Sequence, residues 1–277
     1  MKERVISGVV IAALIVGAGL LGGFPLAVLI MVCSMIGFQE LARATSVLES
    51  TEKVNTLTGF ALVMTAVYYA GLIVFQARWG AAPDQMVLAS DFFTTVIIIA
   101  AFLGIMSVYV LAFPKFRSEQ VMAAFFSFVY SPILMAFVYR TRTLPYGIFM
   151  YALIFVCSSV CDTCALAAGM MFGKHKMAPV LSPKKTVEGA IGGIAGAMLL
   201  GLIYAALTHG PRLEYVAICL FGALVSMIGD LAASAIKRNA GIKDYGKLIP
   251  GHGGVMDRFD SVIFTAPVIY LLGVTIL

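Results

Sequence analysis

The chain has 277 residues, of which 61% are hydrophobic and only 12% charged, with a mean hydropathy of +1.00. These values exclude a soluble globular domain and leave a polytopic membrane protein. The net charge of +5 is what Lys- and Arg-enriched cytoplasmic loops give and does not ask for a nucleic-acid partner. With 27 Gly, one Trp and no ten-residue alternation of apolar and polar residues, packed helices fit better than a barrel.

Val5 to Phe38 carries no charge, and one helix of that length would run about 50 Å against a hydrocarbon core of about 30 Å. The stretch must turn, and Gly22-Gly23-Phe24-Pro25 supplies the breaker between spans at Val5–Leu21 and Leu26–Leu41. An immediate second span and no clear cleavage site disfavour a signal peptide. Arg43 to Lys53 is polar and reads as a loop or interfacial helix. Further spans are expected over Leu57–Phe75, Phe92–Phe113, Val121–Tyr139 with a kink at Pro132, and Tyr146–Met171, which encloses Asp162. After a basic loop, Gly173 to Glu188, a Gly/Ala-rich seventh span covers Gly189–Leu207, an eighth Tyr215–Ile236 and a ninth Val262–Leu277.

Cys157, Cys161 and Cys164 share a helix face, but no loop offers a matching ligand pair, so they read as small residues at a helix contact rather than as zinc ligands. Nothing implies a disulfide. The predicted fold class is an all-α polytopic bundle of about nine transmembrane helices with a cytoplasmic N-terminus. In that orientation 15 of the 19 Lys and Arg fall on the inner side. Residues 1–145 are expected to form a scaffold, and 146–277 a catalytic half with cytoplasmic loops at 173–188 and 237–260.

The chemistry is concentrated between Gly229 and Ser261. Four of the chain's seven Asp lie there, Asp230, Asp244, Asp257 and Asp260, among Lys237, Arg238, Lys243, Lys247, Arg258 and a series of glycines. Carboxylates in that company suit a divalent cation, and the cations and Gly-exposed backbone N–H groups suit the phosphates it would bridge. Asp162 and Asp230 are placed deepest in spans, where an ionised carboxylate must face a polar interior. Ser234 and Lys237 follow Asp230 on the same helix face. Asp257 and Asp260 are spaced i, i+3, so an early start of the last helix would point both one way, toward a cation shared with Asp230. Pro250-Gly251-His252-Gly253-Gly254 reads as a turn presenting N–H groups, with His252 as a donor to phosphate.

From Ser234 to Asp260, the run S-A-I-K-R-N-A-G-I-K-D-Y-G-K-L-I-P-G-H-G-G-V-M-D-R-F-D resembles the C-terminal signature of the phosphatidate cytidylyltransferases, the CDP-diacylglycerol synthases. Ser182-Pro183-Lys184-Lys185-Thr186-Val187-Glu188-Gly189 resembles that family's basic loop. Asp162-Thr163-Cys164-Ala165 resembles a third motif, with Leu166 where Tyr is usual. The resemblance implies transfer of the cytidylyl group of CTP to phosphatidic acid with release of pyrophosphate, dependent on Mg²⁺ and with a monovalent cation such as K⁺. It further implies a homodimer in the inner (plasma) membrane with its active site on the cytoplasmic side.

The resemblance implies metal ligation by Asp230, Asp257 and Asp260. Beside it, the charge pattern assigns Lys237, Arg238, Lys243, His252 and Arg258 to the catalytic site on CTP or lipid phosphate, with Asp244 either catalytic there or a salt-bridge or turn residue. Ser182, Lys184, Lys185, Glu188, Ser234, Gly253, Gly254 and Asp162 would bind substrate. Two alternatives use some of the same features: a CTP-dependent lipid kinase, which would release CDP, and a transporter using Asp162 and Asp230 as an ion path. Crowding of the polar residues into the C-terminal part, without an internal repeat, argues against the transporter.

Overall fold

The computed structural model of the chain describes residues 2–48, 54–251 and 253–276, the first four by backbone alone. Expectations resting on Glu49, Glu52, Lys53 and His252, or on the side chains of Lys2 and Arg4, lie outside the described residues. Nine helices are described: α1 Lys2–Leu21, α2 Gly23–Ala44, α3 Thr56–Trp79, α4 Pro83–Leu111, α5 Ser118–Thr143, α6 Gly147–Phe172, α7 Val187–Thr208, α8 Arg212–Asn239 and α9 Met256–Ile276. Eight are long and apolar enough to cross a membrane, and α1 adds the shorter apolar stretch Ile6–Leu21. The all-α bundle expected from the sequence is therefore what forms.

The breaks fall where backbone chemistry puts them. Gly22 and Gly23 have φ of 63° and 47°, a region that disfavours a Cβ, and so reverse the chain between α1 and α2. Asn55 caps α3 by accepting from the Thr58 N–H, while the Thr58 hydroxyl accepts from Asn55 N. Pro132 does not break α5. It lies in a π-turn, Val129–Ile133, whose extra residue absorbs the missing N–H. A second π-turn, Val156–Val160, precedes Asp162 in α6.

Three boundaries differ from expectation. The fourth span starts earlier, at Pro83, and takes Asp91 into the helix, where buried Arg140 pairs with it. The basic loop contains a two-stranded antiparallel hairpin, β1 Lys176–Ala178 and β2 Ser182–Thr186, with Lys176 opposite Thr186. The last helix begins at Met256, six residues early, so Asp257 and Asp260 lie within it.

Buried aromatic and aliphatic side chains from α2, α3, α5 and α9, among them Phe38, Tyr68, Tyr69, Phe128 and Tyr270, make the core. The outer faces of α1, α4 and α7 expose large apolar residues such as Leu20, Val110 and Leu199, the surface a bilayer solvates. On α7 a stripe of small buried residues, Gly189, Gly193, Ala197, Gly201 and Ala205, lets its neighbours approach closely. Cys161 and Cys164 of α6 and Cys219 of α8 fill the space that Cβ atoms at Gly193, Gly196 and Gly201 would need.

Long-range hydrogen bonds sort the connections into two ends of the bundle. At one end Ser7 Oγ donates to Pro250 O (3.1 Å), Gln120 Nε2 donates to Ser46 O (3.2 Å), and Glu40 meets the backbone of Val255 and Met256. At the other, Arg142 Nε donates to Gly19 O (2.8 Å). The hairpin and the 240–255 loop belong to the first end.

Candidate active site

Along α8, Asp230, Ser234 and Lys237 recur at helical spacing, all three partly buried, and carry one polar face from the bundle to its end. A cavity of about 660 Å³ opens against that face. Its wall includes Asp162 of α6, Lys176, Lys184, Lys185 and Thr186 of the hairpin, and Asp230. Lys185 Nζ makes an ion pair with Asp230 Oδ2, both side chains about a quarter exposed (26% and 25%). Asp260 has Asp230 and Asp162 among its electrostatic neighbours, and Asp162 has Ser261 as a hydrogen-bonding neighbour. Asp260 itself accepts from Ser261 N at 2.8 Å. Three carboxylates thus approach one another with two lysines in reach, Lys185 beside Asp230 and Asp162 and Lys237 beside Asp260. Because Lys237 is also paired with Asp257, the negative charge remains in excess, which a cation would relieve.

Asp257 has other partners. Its Oδ2 accepts from Tyr245 N (2.8 Å) and Gly254 N (2.9 Å), and its Oδ1 accepts from Lys237 Nζ (2.9 Å), with the carboxylate side chain only 3% exposed. The early start of α9 does place Asp257 and Asp260 one turn apart, yet their carboxylates do not share partners. Asp257, at the helix's second position, folds back onto unpaired loop amides, whereas Asp260 stands one turn deeper beside Asp230. Lys237 also lies over the Tyr245 ring, 5.3 Å from its centroid. Burial pushes the Tyr245 phenol above its ordinary range, so it remains a donor to Ala233 O (3.0 Å).

The loop glycines have a different use from the one the sequence suggested. Gly251 and Gly253 do make a turn, at φ of 74° and 87°, closed by Ile249 N donating to Gly253 O (2.8 Å). The Gly254 N–H, however, is committed to Asp257 rather than presented to a phosphate. Gly246 and Gly254 lack side chains because a Cβ at either would strike the carboxylate of Glu40.

In the basic loop, Glu188 accepts from Lys174 N (3.0 Å) and from His175 Nδ1 (2.6 Å), holding the hairpin onto the start of α7. Thr186 caps that helix through Gly189 N (3.1 Å). Lys184 and Lys185 then line the cavity, with Ser182 half-buried at the other end of β2. Arg238 folds onto Ile242 O (3.2 Å), and Lys243 and Asp244 are exposed on the loop beyond. Arg258 is exposed on α9 and lines a different groove from the one over Asp230.

Two residues escaped the sequence reading. Glu40 of α2, only 4% exposed, accepts from Val255 N (3.1 Å) and Met256 N (2.9 Å), so a carboxylate from the N-terminal half caps α9. Glu40 lies one residue before the end of the expected span Leu26–Leu41, where an acid reads as a boundary. Tyr130 is 4% exposed, and its hydroxyl has no hydrogen-bond partner among the described residues. Asp260 and Asp230 are its electrostatic neighbours. It stands in the π-turn of α5, and the Ser131-Pro132 pair beside it was the available signal.

Among the described residues, no three Asp, Glu, His or Cys side chains are grouped to hold a metal ion unaided. Mg²⁺ is commonly held by one or two carboxylates and completes its shell with water and substrate phosphate, so Asp230 and Asp260 are the residues that would hold it. The orphaned Tyr130 hydroxyl beside Asp230 and Asp260 is a further polar atom such a shell would engage.

The model of the cytidylyltransferase family matches residues 2–276. A phosphatidate cytidylyltransferase of Staphylococcus aureus (strain COL) is 30% identical over 274 residues, covering 98% of each chain. One of Bacillus subtilis (strain 168) is 30% identical over 277 residues, covering 98% of this chain and 97% of the relative. A third, from a Synechocystis strain, is 43% identical over 136 residues, 48% of this chain and 46% of its own. The match runs from the first helix to the last, so that the N-terminal spans, which carried no motif, are included with the acidic face of α8: the chain belongs to the cytidylyltransferase family.

Proposed function

We propose that the protein transfers the cytidylyl group of CTP to phosphatidic acid, releasing pyrophosphate and leaving CDP-diacylglycerol in the bilayer. The observation that carries this reading is the grouping of Asp162, Asp230 and Asp260 beside Lys185 at one end of an apolar bundle. There a water-borne polyanion and a membrane-anchored one can meet. The phosphate monoester of the lipid is itself an anionic nucleophile, so no protein base is required. Its oxygen forms the new bond to the α-phosphorus as the bond to the β-phosphate oxygen breaks, and pyrophosphate leaves with the electron pair.

The protein's work is to align the two phosphates and offset their repulsion. Asp230 and Asp260 would hold Mg²⁺, with Asp162 close by. Mg²⁺, when bound, supplies positive charge against the triphosphate oxygens. Lys185 lies paired with Asp230 and would turn onto phosphate as the carboxylate engages a cation, with Lys184 and Lys176 on the same cavity wall. Asp257 and Lys237 tie the 240–255 loop to the first turn of α9, which sets the position of Asp260. The site end carries Lys115, Arg117, Lys174, Lys176, Lys184, Lys185, Lys237 and Lys243, so by the positive-inside rule it faces the cytoplasm. The bacterial relatives and the resemblance of the motifs favour a plasma-membrane enzyme acting as a homodimer, with K⁺ as a second cation.

The test is incubation of purified protein with CTP, dioleoyl phosphatidate and Mg²⁺, with mass detection of the lipid product and assay of the released anion. Liponucleotide and pyrophosphate are expected, with loss of both on chelation by EDTA. Release of CDP with a phosphorylated lipid would mean a CTP-dependent lipid kinase instead.

A further inference from the structure

An apolar groove of about 650 Å³ runs along the flank of the bundle between α1 and α6, separate from the cavity over Asp230. Ile11 and Ile15 of α1 line one wall, Phe155 of α6 the other, and Val262 of α9 the floor. The helix that makes the outer wall is fixed at three heights. Ser7 Oγ donates to Pro250 O (3.1 Å), Tyr151 Oη to Ile15 O (2.8 Å) and Arg142 Nε to Gly19 O (2.8 Å).

On α1 the lining extends from Gly8 to Leu20, about 18 Å along the axis at 1.5 Å per residue. One leaflet of a bilayer has a hydrocarbon depth of about 15 Å, so the groove is long enough for an acyl chain of a lipid whose head lies at the site end. At that end stands Arg258, the one charged residue of the lining among the described residues, exposed in the first turn of α9. Two residues further along α9, Asp260 is on the opposite side of the helix among Asp230 and Asp162. Ser159 belongs to the groove and Asp162, one turn later on α6, to the polar cavity, so the two spaces adjoin along a single helix.

A transmembrane helix of another protein could fill the apolar length but would leave Arg258 facing nothing anionic. A phospholipid with an exposed phosphate monoester supplies both halves in one molecule. We infer that the groove between α1 and α6 holds an acyl chain of the phosphatidate and that Arg258 draws its phosphate toward the edge the two spaces share at Ser159 and Asp162, where it meets CTP held in the cavity lined by Lys184, Lys185 and Asp230. The inference rests on the function proposed above and divides the basic residues between the two substrates.

The experiment uses the whole protein in phosphatidylcholine nanodiscs with a phosphatidate bearing a photoactivatable diazirine in mid-chain. Crosslinks are expected in α1 between residues 11 and 15 and in α6 between 152 and 155, competed by unlabelled phosphatidate and not by added phosphatidylcholine. Crosslinks elsewhere, or equal competition by both lipids, would overturn the site. In the kinetic arm, Ala12→Trp narrows the groove and raises the KM for dioleoyl phosphatidate about tenfold relative to the dihexanoyl form, the effect of displacing about two buried methylenes. Arg258→Gln raises the KM for both lipids about tenfold, with the KM for CTP unmoved. A rise in the CTP KM instead would reassign Arg258 to the nucleotide. If the wild type makes no liponucleotide and yet shows the competed crosslinks, the enzymatic reading fails while the lipid site stands.

Discussion

Replacing Glu40 by Gln removes a charge from α2 while keeping the shape of the side chain between Gly246 and Gly254. Each N–H donated to a carboxylate contributes about 1.5–3 kcal/mol, and Glu40 accepts two, from Val255 at 3.1 Å and Met256 at 2.9 Å. A glutamine carbonyl would keep one of them at roughly half strength and turn its own NH₂ toward the other donor. The net loss is about 2.5–4 kcal/mol, or roughly 60- to 700-fold in the equilibrium that docks the 240–255 loop onto α9. Hydrogen–deuterium exchange on peptides covering residues 244–260 reads that equilibrium directly. Protection of the Val255 and Met256 amides is expected to fall by about two orders of magnitude, with cytidylyl transfer falling as Asp257 and Asp260 lose their seating. Wild-type protection at those two amides in Glu40→Gln would refute the claim that the scaffold half holds the catalytic turn in place.

Further outcomes follow from the same geometry. Tyr130→Phe deletes an unpartnered hydroxyl and little packing, so the thermal midpoint should hold or rise slightly while kcat falls about tenfold; an unchanged kcat would remove Tyr130 from the site. Asp257→Asn and Asp260→Asn should separate structure from metal binding. The first strands Lys237 and lowers the thermal midpoint, by about 3–5 kcal/mol of stability, because its pair is buried. The second leaves the midpoint near wild type and raises the Mg²⁺ concentration for half-maximal rate at least tenfold; the reverse pattern would exchange the two roles. Because folding raises the Tyr245 phenol above its usual pKa near 10, the unfolded chain loses that proton first as pH rises. The stability is therefore complete below pH 10 and declines above it, and Tyr245→Phe should flatten the alkaline limb of a midpoint-versus-pH curve. An identical alkaline decline in that variant would rule Tyr245 out as its source.

Much of this molecule was legible before any fold was known. Runs of uncharged residues longer than a bilayer is thick, broken at Gly22-Gly23 and at charged turns, are local properties, and they located the helices to within a few residues at most boundaries. Motif likeness marked the acidic face of α8 and the start of α9. Partnership was not legible, because hydrogen bonds link residues by space rather than by spacing. Asp257 and Asp260, one turn apart, were read as one pair of ligands, but only the folded loop shows Asp257 meeting the N–H groups of Tyr245 and Gly254 while Asp260 lies beside Asp230.

Glu40 and Met256 are 216 residues apart and meet only when α2 lies against α9, so no periodicity within either helix announces the contact. Composition and hydropathy determined a helical membrane bundle, since the cost of burying polar backbone in lipid leaves few other solutions. Tertiary structure decided which carboxylate each buried donor would find, and with it which acids remain facing one another in the cavity.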